Sequence, residues 1–158
     1  DIKCHRIVDP DQLAEEIPSL ENQTEYLVVD CPGSLGEATR CVLLTAKIAV
    51  IPITPSGLDL MSAAAAVRIV KQTQTARGGL PIAGVVINKA IKNTRLLKEA
   101  QQVVTQLEPA IPFKQIIYQR QAVADAFLQG TTVWGMTRTE EAASDYQKLF
   151  AEILRLLR

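Results

Sequence analysis

Asp30 ends an apolar run, Leu27-Val28-Val29, and Gly33 follows it after Cys31 and Pro32. A buried strand ending in a carboxylate brings one negative charge to the rim of a sheet, where it can hold magnesium through water. A glycine just beyond lets a backbone N–H approach a phosphate with no side chain in the way. The same residues also read as a helix cap and a turn. Asn88 and Lys89 close a second apolar run, Val85-Val86-Ile87. An asparagine there offers a donor and an acceptor to the edge of a nucleobase, or else satisfies loop backbone. A guanine reader would need an acid at position 91 to accept from the base. Ile91 stands there and cannot accept, so the pattern favours adenine. A third stretch, Pro52-Ile53-Thr54-Pro55-Ser56-Gly57-Leu58-Asp59, leads from an apolar run into an alanine-rich helix. Asp59 reads as a first-turn acid favoured by the helix dipole, or as a residue facing a second subunit.

Composition narrows the classes further. The chain has 158 residues, 47% apolar and 22% charged, enough for one domain with its own core and too apolar for disorder. Seventeen basic residues balance seventeen acidic ones, so any nucleic-acid contact must come from a local patch. One histidine, His5, and three irregularly spaced cysteines, Cys4, Cys31 and Cys41, argue against a structural zinc site and a Ser-His-Asp triad. An odd, unpatterned cysteine set points to a reducing, cytoplasmic setting. No apolar run reaches the ~20 residues of a spanning helix. The first residue is Asp1, which suggests a piece of a longer chain.

These residues need elements to carry them. Strands are expected over His5–Val8, Glu25–Asp30, Lys47–Ile53, Pro81–Asn88 and Phe113–Ile117. Helices are expected from an Asp9 cap to Ile17, from Gly36 to Leu44, and from Leu58 to Ala76 before Gly78-Gly79. Others should run from Asn93 or Thr94 to Leu107, from Gln121 to Leu128, and to the C-terminus after Thr137-Arg138-Thr139-Glu140, which has capping-box spacing. Trp134 reads as an anchor for its loop. The alternation gives an α/β fold, a mostly parallel sheet with helices on both faces, in one domain over residues 1–158.

The order of these pieces resembles the ParA/MinD family of partition and positioning ATPases. Asp30 with Cys31-Pro32-Gly33 resembles the family's Walker B strand and second switch. Lys47 to Leu60 resembles the strand and Pro-x-x-x-Asp entry to the next helix. Val86 to Lys89 resembles the base-binding strand, and Phe113 to Phe127 with Thr131 to Val133 the region closing over adenine. The resemblance implies a P-loop nucleotidase-like fold using ATP and magnesium. Asp30 would position the metal, and Gly33 would sense the γ-phosphate. Asn88, Lys89, Phe113 and Arg120 would bind the base. ATP would join two subunits into a homodimer that binds DNA non-specifically and meets a partition partner protein.

Two departures follow. The family's phosphate loop, Lys-Gly-Gly-x-Gly-Lys-[Ser/Thr], has no match here, nor do the strand before it and the first switch. The chain therefore reads as the C-terminal portion of a ParA-like ATPase domain, incomplete at its N-terminus, which alone should bind nucleotide poorly and not hydrolyse it. Cys31 stands where the family often has threonine, and its thiol is a weak donor. A degenerate, non-catalytic interaction module of the same fold is the alternative. Lys89, Lys92, Arg95 and Lys98 form a basic stretch with no intervening acid, suited to DNA phosphates or to a solvated helix face. Finally, Tyr26 to Asp30 is apolar on both faces. Without the phosphate-loop strand beside it, mid-sheet edges should be left unpaired.

Overall fold

The computed structural model describes residues 2–158. Its sheet has three parallel strands in the order β1-β2-β3, namely Ile48–Ile53, Ile82–Ile87 and Ile111–Pro112. Six α-helices surround them: α1 Pro10–Glu21, α2 Glu37–Thr45, α3 Gly57–Ala76, α4 Arg95–Val104, α5 Gln121–Leu128 and α6 Glu140–Leu156. The α/β class with helices on both faces is therefore as expected.

The core follows the strand alternation. Ile53, Ala83, Val85 and Ile87 pack with Ala63, Val67 and Val70 of α3 and with Leu97, Ala100 and Val104 of α4. On the opposite face Val86, Phe113 and Ile117 pack against Leu149 of α6, with Ile48, Ile153 and Leu156 around them. Each buried aliphatic of this size contributes roughly 1.5–3 kcal/mol. Gly84 in β2 serves a close approach, because a Cβ there would run into the Phe113 ring. Residues Gly78 and Gly79, in left-handed backbone at φ 64° and 104°, turn the chain after α3.

Several boundaries differ from expectation. His5–Val8 forms no strand. Helix α1 runs through Pro18 to Glu21 rather than stopping at Ile17. Proline removes only its own N–H, and in the last full turn that loses a single bond. The last expected strand is a correction: pairing covers Ile111–Pro112, not Phe113–Ile117. Beyond Pro112 the chain stays beside β2 through Phe113 N to Val85 O and Ile117 N to Ile87 O, each 2.9 Å, without a continuous ladder. The capping box before α6 does not form. Thr139 stands at the cap position, but its hydroxyl donates back to the Val133 and Met136 carbonyls, holding the turn that carries Trp134. Trp134 itself stacks on Phe150, with centroids 6.0 Å apart.

Glu25–Asp30 is the largest correction, since it joins no strand. Leu27 and Val29 rest against Leu13, Ile17 and Val42 of α1 and α2, while Val28 is 89% exposed. A cleft of about 440 Å³ separates this segment from β1, with Tyr26, Leu27 and Val29 on one side, Ile48 on the other, and Leu154 and Leu157 of α6 beside them. Among the described residues no strand pairs with this segment.

Candidate functional site

Parallel pairing ends β1 and β2 together. Ile53 stands opposite Ile87, and the Asn88 amide donates to the Ile53 carbonyl at 2.7 Å. The loops carrying Thr54 and Asn88 therefore leave the sheet side by side, where open α/β sheets receive ligands. A third segment is bonded onto the same rim. The Ala90 amide donates to Ile117 O at 3.0 Å, the Gln119 amide donates to Ala90 O at 2.9 Å, and Ala90 bridges Tyr118 in parallel. Asn88 and Lys89 are thus brought beside Tyr118 and Arg120.

Each side chain on this rim has defined surroundings. The Asn88 amide oxygen accepts from the Lys89 N–H at 2.9 Å, and Lys89 is held in left-handed backbone at φ 52°. The Asn88 side-chain NH2 is the group left to meet a base edge. Lys92 lies over the Tyr118 ring at 5.0 Å, with the Arg120 guanidinium 6.0 Å from the same centroid. Arg120 is occupied: it donates to Glu141 and, at 3.1 and 3.3 Å, to Asp145 of α6. Desolvation opposes its charge, but the bonds to Asp145 and Glu141 outweigh it and raise the pKa above the ordinary arginine value. Asp145, 9% exposed, also accepts from Gln115 at 3.2 Å. Glu152 takes the Lys114 and Gln115 amides at 2.8 and 2.9 Å. The segment from Lys114 to Arg120 is therefore clamped to α6, and a shallow hollow of about 320 Å³ opens beside Arg120 and Glu141.

Other expected site residues lie apart from this rim. Phe113 is buried in the core over Gly84, supporting the segment from beneath. Asp30 and Gly33 sit on the unpaired stretch, both exposed, and line neither hollow. Burial and the Asp30 charge push the Cys31 thiol above its ordinary pKa, so it is a poor nucleophile. Among the described residues no three His, Cys, Asp or Glu side chains group as a metal site. Magnesium keeps several waters and takes oxygens from bound phosphates, so an exposed Asp30 fits the role of a single protein carboxylate. Lys92, Arg95 and Lys98 are exposed along the start of α4, and Arg95 pairs with Glu99 at 2.6 Å.

Two arrangements went unread in the sequence. Asp59 accepts from both the Thr54 amide, at 3.2 Å, and the Thr54 hydroxyl, while Ser56 caps α3 by accepting from Asp59 N at 3.2 Å. Asp59 thereby locks the β1–α3 loop. The Thr-x-Ser-x-x-Asp spacing carried that signal. Asp145, an acid on the buried face of the amphipathic α6 beside Ala142 and Leu149, signalled the Arg120 clamp.

A parallel α/β sheet with loops joined at its carboxyl rim is consistent with a P-loop nucleotidase-like fold. No family model matches the sequence. Among curated proteins, the Maintenance of carboxysome distribution protein A of Halothiobacillus neapolitanus is 25% identical over 133 residues, 82% of this chain and 60% of its own length. A ParA family protein of Chlamydia muridarum is 26% identical over 94% of this chain and 58% of its own length. An uncharacterised ATP-binding protein of Methanocaldococcus jannaschii is 24% identical over 94% of this chain and 53% of its own length. The chain is thus similar to ParA-like and ATP-binding proteins. It spans little more than half the length of these relatives. No helix among the described residues is long and apolar enough to cross a membrane.

Proposed function

We propose that the chain is the C-terminal portion of a ParA-like ATPase domain that positions a cargo, or partitions DNA, in the cytoplasm. The observation that carries this reading is the joined carboxyl rim, where Asn88 is bonded to the end of β1 and residues 117–120 are bonded onto Ala90. A rim of this kind, beside an asparagine with a free amide group, suits an adenine base. Asn88 would donate to the base, with Lys89 beside it and Phe113 and Arg120 supporting the covering segment. Asp30 would hold magnesium, whose chemistry is to neutralise charge on the transferring phosphate. Gly33 would let a backbone N–H reach the terminal phosphate.

The phosphate cradle itself would come from polypeptide preceding this portion. ATP would then join two subunits, and the dimer would hold DNA through phosphate contacts from Lys92, Arg95 and Lys98 until hydrolysis, prompted by a partition partner protein, releases it. Asp30→Ala in a polypeptide that carries the phosphate loop tests this reading. Magnesium-dependent ATP turnover should be lost with the fold retained by circular dichroism. Unchanged turnover would remove Asp30 from the site and overturn the reading.

A further inference from the structure

Helix α2 has nine residues and no basic residue in its last turn. A helix end leaves carbonyls without intrahelical partners, and here a residue from the far end of the next helix takes them. Arg77, just past α3, donates through Nη1 to Leu43 O at 2.9 Å and Ala46 O at 2.6 Å, and through Nη2 to Thr45 O at 3.3 Å. Among the described residues no carboxylate pairs with Arg77, so its guanidinium serves α2 alone. The other end of α2 carries the Gly33 turn. The Thr39 hydroxyl donates back to Ser34 O at 3.0 Å, and Leu35 packs on the core that Leu43 shares with α3. Gly33 and Ser34 are thereby tied to α2. Apolar contact is non-directional: Leu35 and Leu43 fix how deep α2 sits, not where it stands along its axis. Three directional bonds from one planar guanidinium fix that. Helix α3 in turn starts at the loop locked by Asp59 and ends at Arg77, so the Gly33 turn is referred through α2 and α3 to the rim that carries Asn88.

We propose that Arg77 is a positioning residue for the terminal phosphate: its guanidinium sets where α2 stands along its axis, and α2 sets where the backbone N–H groups of Gly33 and Ser34 stand. This rests on the reading of Gly33 as the group that meets the γ-phosphate. A small displacement of that turn leaves the base side untouched, because Asn88 N is bonded to Ile53 O and Ile117 N to Ile87 O independently of α2. The signature of Arg77 is therefore a difference between ATP and ADP, not a loss common to both. A helix cap with no further role would lower stability and treat the two nucleotides alike. Lysine at this place keeps a positive charge at the α2 C-terminus, where the helix dipole favours it. Its point-like ammonium does not span three carbonyls as the planar fork does. Arg77→Lys thus loosens the position of α2 while leaving its end neutralised.

Two measurements on the polypeptide extended upstream of Asp1 as its gene encodes it test this, in the wild type and in Arg77→Lys. One is calorimetric titration of magnesium-ATP and magnesium-ADP; the other is the amide NMR resonances of Gly33 and Ser34 in the nucleotide-free protein. Arg77→Lys should weaken ATP about tenfold and leave ADP within about twofold. It should also shift the Gly33 and Ser34 resonances while those of Asn88 and Ala90 stay. Thr39→Val, which cuts the tie at the other end of α2, should reproduce the selective loss, and it carries the same test if Arg77→Lys does not fold. Equal weakening of both nucleotides, unchanged affinity for both, or unmoved Gly33 and Ser34 resonances would overturn the proposal. The ATPase reading fails differently, by a wild-type polypeptide that binds no ATP. In that case shifted Gly33 and Ser34 resonances would still show Arg77 setting the turn, and unmoved ones would overturn both.

Discussion

Cys31 and Cys4 differ in a way that one reaction reads directly. Cys4 is exposed, whereas Cys31 is half-buried beside Asp30 with its pKa pushed up by burial and then by that charge. A raised thiol pKa lowers the thiolate fraction at any pH below it, so iodoacetamide at pH near 8 should alkylate Cys4 several-fold faster than Cys31. Peptide mass mapping over time checks the order, and equal rates would show that Cys31 is not shielded. Arg120 and Asp145 make a stronger statement. Removing Asp145 leaves a mostly buried guanidinium with only Glu141, so Asp145→Ala should cost about 2–4 kcal/mol in urea unfolding. Arg120→Ala together with Asp145→Ala should cost less than the sum of the two single changes, because neither then strands the other. Additive losses would mean that the pair is not coupled.

The packing of β2 on the segment after β3 turns on Gly84 and Phe113. Gly84→Ala forces a methyl into the Phe113 ring and should destabilise by roughly 1–3 kcal/mol, with Phe113→Leu recovering part of the loss. A neutral Gly84→Ala in thermal unfolding would contradict the close approach. The elements with strong local signals were legible from the residues: α3 from its alanine-rich run and the Gly78-Gly79 stop, α5 at the same bounds, and β1 and β2 within a residue of their expected ends. Glu25–Asp30 was not, because an apolar run reports burial and β-propensity but not whether a neighbour exists to pair with. The Phe113–Ile117 strand slipped for a related reason. Its pairing depends on β2, and only two residues meet it in register. Of the site, Asn88 and Lys89 could be read at a strand end, while the Arg120 clamp went unread: the acid on α6 hints at a buried partner, but which cation it meets, far along the chain, depends on the fold.

At the scale of the whole molecule, a neutral chain carries four of its seventeen basic residues, Lys89, Lys92, Arg95 and Lys98, in one exposed stretch. If these meet DNA phosphates in the dimer, Lys92→Glu with Lys98→Glu should weaken binding to duplexes of any sequence and flatten its salt dependence. Filter binding at two salt concentrations reads both effects, and unchanged affinity would place the DNA surface elsewhere. Among the described residues β1 has one free edge and Tyr26 to Asp30 pairs with no strand, and the cleft between them is lined by Leu27, Val29 and Ile48 together with the charged Glu21, Glu25 and Lys47. The central claim is that this chain supplies the base and metal side of an ATP site whose phosphate cradle lies upstream. Calorimetric titration of magnesium-ATP and magnesium-GTP, into the 158-residue chain and into the polypeptide extended upstream of Asp1, tests it most directly. The account predicts no ATP affinity tighter than millimolar for the short chain, and micromolar ATP affinity with GTP weaker for the extended one. Micromolar ATP binding by the short chain, or GTP preferred by the extended one, would contradict it.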